Sequence, residues 1–120
     1  MFKKLILTVA FLVICASSSF AEYSGELTAD SVVTARPGHF LGIIVITDAT
    51  NPVTVDIYDS DTAVAGPNLI PTWTVTTSAT DRIQAIGFNM GDVKYSKGIY
   101  VDITIGGGSV TYMVYYKPLE

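Results

Sequence analysis

From residue 31 onward, hydrophobic positions in this chain recur at every second residue rather than every third or fourth. In 53–58, Val53, Val55 and Ile57 alternate with Thr54, Asp56 and Tyr58; the same period runs through 99–105 and 110–116. A repeat of two places alternate side chains on opposite faces of a strand. Runs rich in Val, Ile, Thr and Tyr predict strands over 31–36, 40–47, 53–58, 69–76, 82–88, 92–95, 99–105 and 110–116. Pro37-Gly38, Asn51-Pro52, Gly66-Pro67, Gly91-Asp92 and the triplet Gly106-Gly107-Gly108 break them. No stretch holds helical spacing for about 10 residues without a Gly, a Pro or a β-branched run. About eight short strands in under about 100 residues predict an all-β domain, a single antiparallel β-sandwich or jelly roll.

The last two strands suggest a hairpin. If paired residue numbers sum to 215, Ile105 faces Val110, Ile103 faces Tyr112, Val101 faces Val114 and Ile99 faces Tyr116. One face is then apolar, and the other carries Thr104/Thr111, Asp102/Met113 and Tyr100/Tyr115. This register makes Gly107-Gly108 a two-residue turn. Strand 40–47 differs in being apolar on both faces. That predicts a central strand covered on both sides, or one whose outer face meets another subunit.

The first residues read as an export signal. Lys3 and Lys4 precede an apolar run from Leu5 to Ala16, and Ser19 and Ala21 stand at −3 and −1 of a cleavage site before Glu22. A run of about 12 apolar residues is too short to span a bilayer. Cys15 does not fit a lipoprotein signal, because Ile14 precedes it where a small residue is expected. The expected organisation is a cleavable signal over 1–21 and a β-sandwich domain over 22–120, secreted or periplasmic, with no membrane anchor after cleavage. Cleavage removes the only cysteine and with it any disulfide or thiol chemistry.

Charge narrows the partners. Without Lys3 and Lys4, five scattered basic residues remain against eleven acidic ones, a net charge of about −6. Nucleic acid needs a basic patch, so it is not an expected partner.

Candidate chemistry is sparse. His39 is the one histidine; with no marked nucleophile or further ligands, it reads as a polar residue at a strand edge. Asp56, Asp59 and Asp61 end a strand and enter its turn, where closely spaced oxygens suit Ca²⁺. The EF-hand glycine and distal glutamate are missing, and Asp and Ser also suit an ordinary turn. Asp56 and Asp102 form a carboxylate pair on paper, without a visible means of raising either pKa. Tyr100 and Tyr115, with Tyr58 if its strand lies nearby, form a candidate interaction face for a sugar ring or a protein. Trp73 reads as a core or rim residue. No catalytic residue and no cofactor are expected.

Several stretches in order also resemble a known family. Leu41-Gly42-Ile43-Ile44-Val45 precedes Val55-Asp56-Ile57-Tyr58-Asp59 and Ile86-Gly87-Phe88; Lys97-Gly98-Ile99-Tyr100-Val101 and Val110-Thr111-Tyr112 follow. This is similar to a family of small β-sandwich proteins encoded mainly by tailed phages, which implies a virion component and no catalytic residues. The export signal sets this chain apart: a phage-derived domain adapted for export and an unrelated secreted sandwich with convergent strands both fit. The expected function is an exported, non-enzymatic structural or interaction module acting through a sheet face or self-association. The alternatives are a small module binding carbohydrate or Ca²⁺, and a phage particle component.

Overall fold

A computed structural model describes residues 21–75, 80–89 and 92–119. The expected signal over 1–21 lies outside the described residues except for Ala21. Nine strands are described: β1 (Glu22–Tyr23), β2 (Ser31–Thr34), β3 (Gly38–Thr47), β4 (Val53–Tyr58), β5 (Trp73–Val75), β6 (Ile83–Gly87), β7 (Lys94–Tyr95), β8 (Ile99–Ile105) and β9 (Val110–Pro118). They form two antiparallel sheets. One has the order β1-β9-β3-β6, with β7 also on β3, and the other the order β2-β8-β4-β5.

The pairings β4–β5, β3–β6, β2–β8 and β1–β9 are nested. A long hairpin folded across itself produces this nesting, and the result is a jelly roll with β7 as an extra short strand. The all-β sandwich expected from the sequence is what the chain adopts.

Period-two patterning fills the space between the sheets. Val53, Val55 and Ile57 of β4 and Ile99 and Val101 of β8 are buried from one side. From the other, Phe40, Ile43 and Val45 of β3 and Val110, Tyr112, Val114 and Tyr116 of β9 meet them. The tyrosines bury rings but keep hydroxyl partners where they can. Tyr112 donates to the Ala29 carbonyl, and Tyr116 to Glu22 at 3.3 Å. The Tyr95 hydroxyl is buried without a partner, and burial pushes its pKa far up.

The expected hairpin does not form. β8 pairs with β2 and β4, whereas β9 pairs with β3 and β1. Residues 106–109 instead cross from one sheet to the other. Gly108 has φ +75°, and a Cβ there would lie 1.6 Å from Asp48 Oδ2. The Asp48 carboxylate is fixed by the N–H groups of Thr50 (2.8 Å) and Asn51 (2.9 Å). Hydrogen bonds from Asn51, then Thr50, hold its pKa well below the usual carboxylate range. The crossover therefore rests on the β3–β4 turn, and glycine lets it come close.

Strand β3 is central, and of the two expectations for it, cover on both sides is not seen among the described residues. A bulge between Phe40 and Gly42 keeps Phe40, Ile43 and Val45 inward. Ile44 and Ile46 are left outward, with Ile46 40% exposed.

Candidate functional site

The two outer faces of the sandwich differ in chemistry. In β2-β8-β4-β5 the register sets Thr54 beside Thr104 and Thr74, Asp56 beside Asp102, and Tyr58 beside Tyr100. Val32 flanks Tyr100 on the other side. This face is polar and acidic.

Asp56 accepts hydrogen bonds from the Thr72 hydroxyl and, at 3.4 Å, from Asn68 Nδ2. Asp30 accepts the Ile103 N–H at 2.8 Å and faces Asp102. Burial, then the charge of Asp30 and a hydrogen bond shared with it, then Asp56, push the Asp102 carboxyl up. A means of raising one carboxyl of the pair therefore exists, contrary to the sequence reading. Its main charged source, Asp30, lies 72 positions from Asp102 in the chain. Tyr58 and Tyr100 are also raised, first by burial and then by the adjacent carboxylates. They remain neutral hydroxyl donors at ordinary pH.

The three expected interaction tyrosines separate. Tyr58 and Tyr100 are direct cross-strand partners, but Tyr115 lies on the opposite sheet. There it pairs with Tyr23, ring centroids 6.2 Å apart. The hairpin assumed between β8 and β9 was the only reason to join Tyr100 to Tyr115.

The candidate Ca²⁺ trio also divides. Asp59 is committed to the segment after β7, accepting the N–H groups of Ser96 (3.0 and 3.1 Å) and Lys97 (2.8 Å) and the Ser96 hydroxyl (3.1 Å). Partial burial pushes its pKa up, but these hydrogen bonds together outweigh that and lower it. Asp56 is held by Thr72 and Asn68, and Asp61 is exposed. Ser60 caps its own turn by accepting from Thr62 and Ala63. Among the described residues, no group of three or more His, Cys, Asp or Glu side chains is arranged to hold a metal ion.

His39 lies inside β3 between Lys94 of β7 and Lys117 of β9, half-buried, with Nδ1 shut from solvent and without a hydrogen-bond partner. It lies at the start of β3, as expected, and is flanked there on both sides by β7 and β9. Trp73 packs at the rim of the core, as expected.

Comparison with protein-family models gives no match, and no curated protein matches the chain at significance.

The outer face of the five-stranded sheet is the feature that sequence reasoning only half found. Register places Ile46 between Ile83 and Thr111, and Ile44 between Ala85 and Met113. Tyr115 and Tyr23 continue the stripe past Gly42. Ile83 is 61% exposed and Tyr23 66%. Between Ile44, Ile46, Thr111, Met113 and Tyr115 lies a groove of about 180 Å³, with Glu26 at its rim. Alternation within 40–47 and 110–116 hinted at these residues, but their juxtaposition needed the β3–β9 pairing.

Proposed function

We propose that this protein is an exported, non-enzymatic structural or interaction module that works by self-association through the outer face of its five-stranded sheet. The observation that carries this reading is the stripe Ile83, Ile46, Ile44, Met113, Tyr115 and Tyr23, side by side in register and partly open to solvent. A contiguous apolar sheet face of this kind marks an interaction site more often than chance exposure.

Charge favours a second copy as the occupant. The chain is acidic overall, and Asp30, Asp56 and Asp102 stand on the opposite outer face. Two copies meeting through the apolar stripe keep those carboxylates apart, and an apolar patch is complementary to itself about a two-fold axis. The resemblance to small phage-encoded virion proteins, which also act by assembly, agrees with this reading.

Light scattering after size exclusion, on purified protein across a concentration series, tests it. A molar mass rising to a defined multiple, and Ile46→Lys weakening association at least about tenfold, or roughly 1.4 kcal/mol, is the expected result. A monomer from micromolar to millimolar concentration overturns it.

A second reading rests on the Tyr58/Tyr100 pair beside Asp56 and Asp102. Neighbouring aromatic rings and carboxylates suit a sugar, by stacking and by accepting its hydroxyls. Glycan titration followed by thermal shift checks this platform, and a flat response across a glycan panel dismisses it.

A further inference from the structure

Among the described residues, the five-stranded sheet has an edge that lacks the usual protection. Natural sheets blunt their edges with short strands, bulges, charges or proline, because open main-chain groups recruit another strand. Two of the other edge strands follow that rule. β1 has two residues and begins with Glu22, and β2 has four and a register shift after Val32. β6 is the exception: Ile83-Gln84-Ala85-Ile86-Gly87 has no charge, no proline and an unbroken register against β3.

Hydrogen-bond parity shows which groups are open. The Thr47 N–H donates to the Arg82 carbonyl, and the Phe88 N–H donates to the Leu41 carbonyl, each at 2.9 Å. In an antiparallel ladder the bonded residues alternate, so the even positions of β6 serve β3. The N–H and C=O groups of Ile83, Ala85 and Gly87 point away from the sheet, and all three residues are exposed.

We infer that β6 is an assembly edge, pairing antiparallel with β6 of a second copy to make one continuous ten-stranded sheet. This goes beyond the face reading: it is a separate contact between copies, made through main-chain groups at the sheet edge, and it leaves both outer faces free. The groups offered are main-chain donors and acceptors, so the occupant must be an extended strand. The strand is also compatible with itself. Centred on Ala85 opposite its own copy, the pairing sets Ile83 against Gly87 of the second chain and Gln84 against Ile86. Only the outward-pointing residues then bond, and no like charges oppose one another along the five residues. A two-fold axis normal to the sheet keeps both apolar stripes on the same side, with Ile83 of each copy packing over the small Gly87 and Ala85 of the other.

Two variants and one exchange measurement test the inference. Ala85→Lys sets like charges opposite each other at the axis. Ala85→Pro deletes an outward N–H at a position where an edge strand tolerates proline. Both are expected to return the protein to monomer mass, and Ala85→Lys covers the case in which the proline variant does not fold. In wild type, the amides of Ile83, Ala85 and Gly87 are expected to slow in hydrogen exchange as concentration rises through the association range. If the protein associates but these amides exchange at the monomer rate, the edge is overturned while the face reading stands; because Ala85 also borders Ile44 on the outer face, the exchange result and not the lysine variant decides between them. A monomer at every concentration overturns both.

Discussion

Replacing Asp59 should unfasten the two sheets from each other at one end of the sandwich. Asp59 follows β4 in the four-stranded sheet, while the donors it serves, Ser96 to Gly98, link β7 of the other sheet to β8. Hydrogen bonds to an ionised group contribute roughly 1.5–3 kcal/mol each when buried. The contact from Gly98 is 3.4 Å long and counts for little. Ser96 and Lys97 are exposed, so water replaces much of what their N–H groups lose. For Asp59→Ala these considerations leave a loss of about 2–3 kcal/mol. Asp59→Asn keeps one acceptor oxygen but no charge and loses about 1–1.5 kcal/mol. For a domain of this size, 1 kcal/mol shifts Tm by roughly 4–8 °C, so the alanine variant melts roughly 10–20 °C lower.

The pH dependence supplies a sharper check. The pKa of Asp59 is lowered in the fold, so its ionised form binds the native state preferentially. That stability is present above the unfolded value of about 3.9 and is lost as pH falls through the folded value below it. Urea unfolding at neutral pH should therefore separate Asp59→Asn from wild type in midpoint at constant slope, and the gap should close on acidification. An alanine variant within about 0.5 kcal/mol of wild type at pH 7 refutes the reasoning, because the least expected loss is several times that. A gap that persists in acid refutes the electrostatic part.

Three further outcomes follow from the same structure. Gly108→Ala should destabilise by about 1–2 kcal/mol or more, from the left-handed φ and the collision with Asp48, whereas Gly106→Ala, which meets nothing within 4 Å, serves as a near-neutral control in thermal melts. Asp102→Asn should stabilise by about 0.5 kcal/mol at neutral pH; because the Asp102 pKa is raised, its ionisation opposes folding there, and the advantage should shrink as pH falls through the carboxylate range. Ile57→Ala, at a fully buried position between the sheets, should cost about 2–5 kcal/mol in chemical denaturation with no change in the β-sheet circular dichroism of the folded form.

Strand positions and face assignments were legible in the sequence because both depend on a period of two. The eight expected segments all contain observed strands, and Val101, Val110, Tyr112, Val114 and Tyr116 point inward as their alternation required. Only β1 was missed, a two-residue strand without room for alternation. Strand pairing was not legible. Alternation says which side chains share the core, but two strands sharing a core can be neighbours in one sheet or face each other across two. β8 and β9 satisfy the same parity either way. The deciding feature is the 106–109 crossover, whose docking on Asp48 depends on a loop some 60 residues earlier.

Site residues were lost for the same reason. Asp59 reads as a turn residue because its neighbours are Tyr58 and Ser60, yet its partners lie 37 and 38 residues away and arrive through the jelly-roll nesting. That nesting also produces the contrast between the outer faces. β4 and β8 bring Thr54 beside Thr104 and Asp56 beside Asp102 because each places Asp or Thr outward, and β3 and β9 bring Ile44 and Ile46 against Met113 and Thr111. A soluble sandwich needs only one set of side chains buried, so the outward residues of β3 owe nothing to the core. The bulge at Phe40–Gly42 sharpens the point. Without it, the strand would present its first and second halves to opposite sides, whereas with it both Phe40 and Ile43 stay inside and Ile44 and Ile46 stay out. Isoleucine at the outward positions 44 and 46 of a central strand, beside an uncharged edge, is a pattern that folding alone does not require, and it is the one on which the proposed assembly rests.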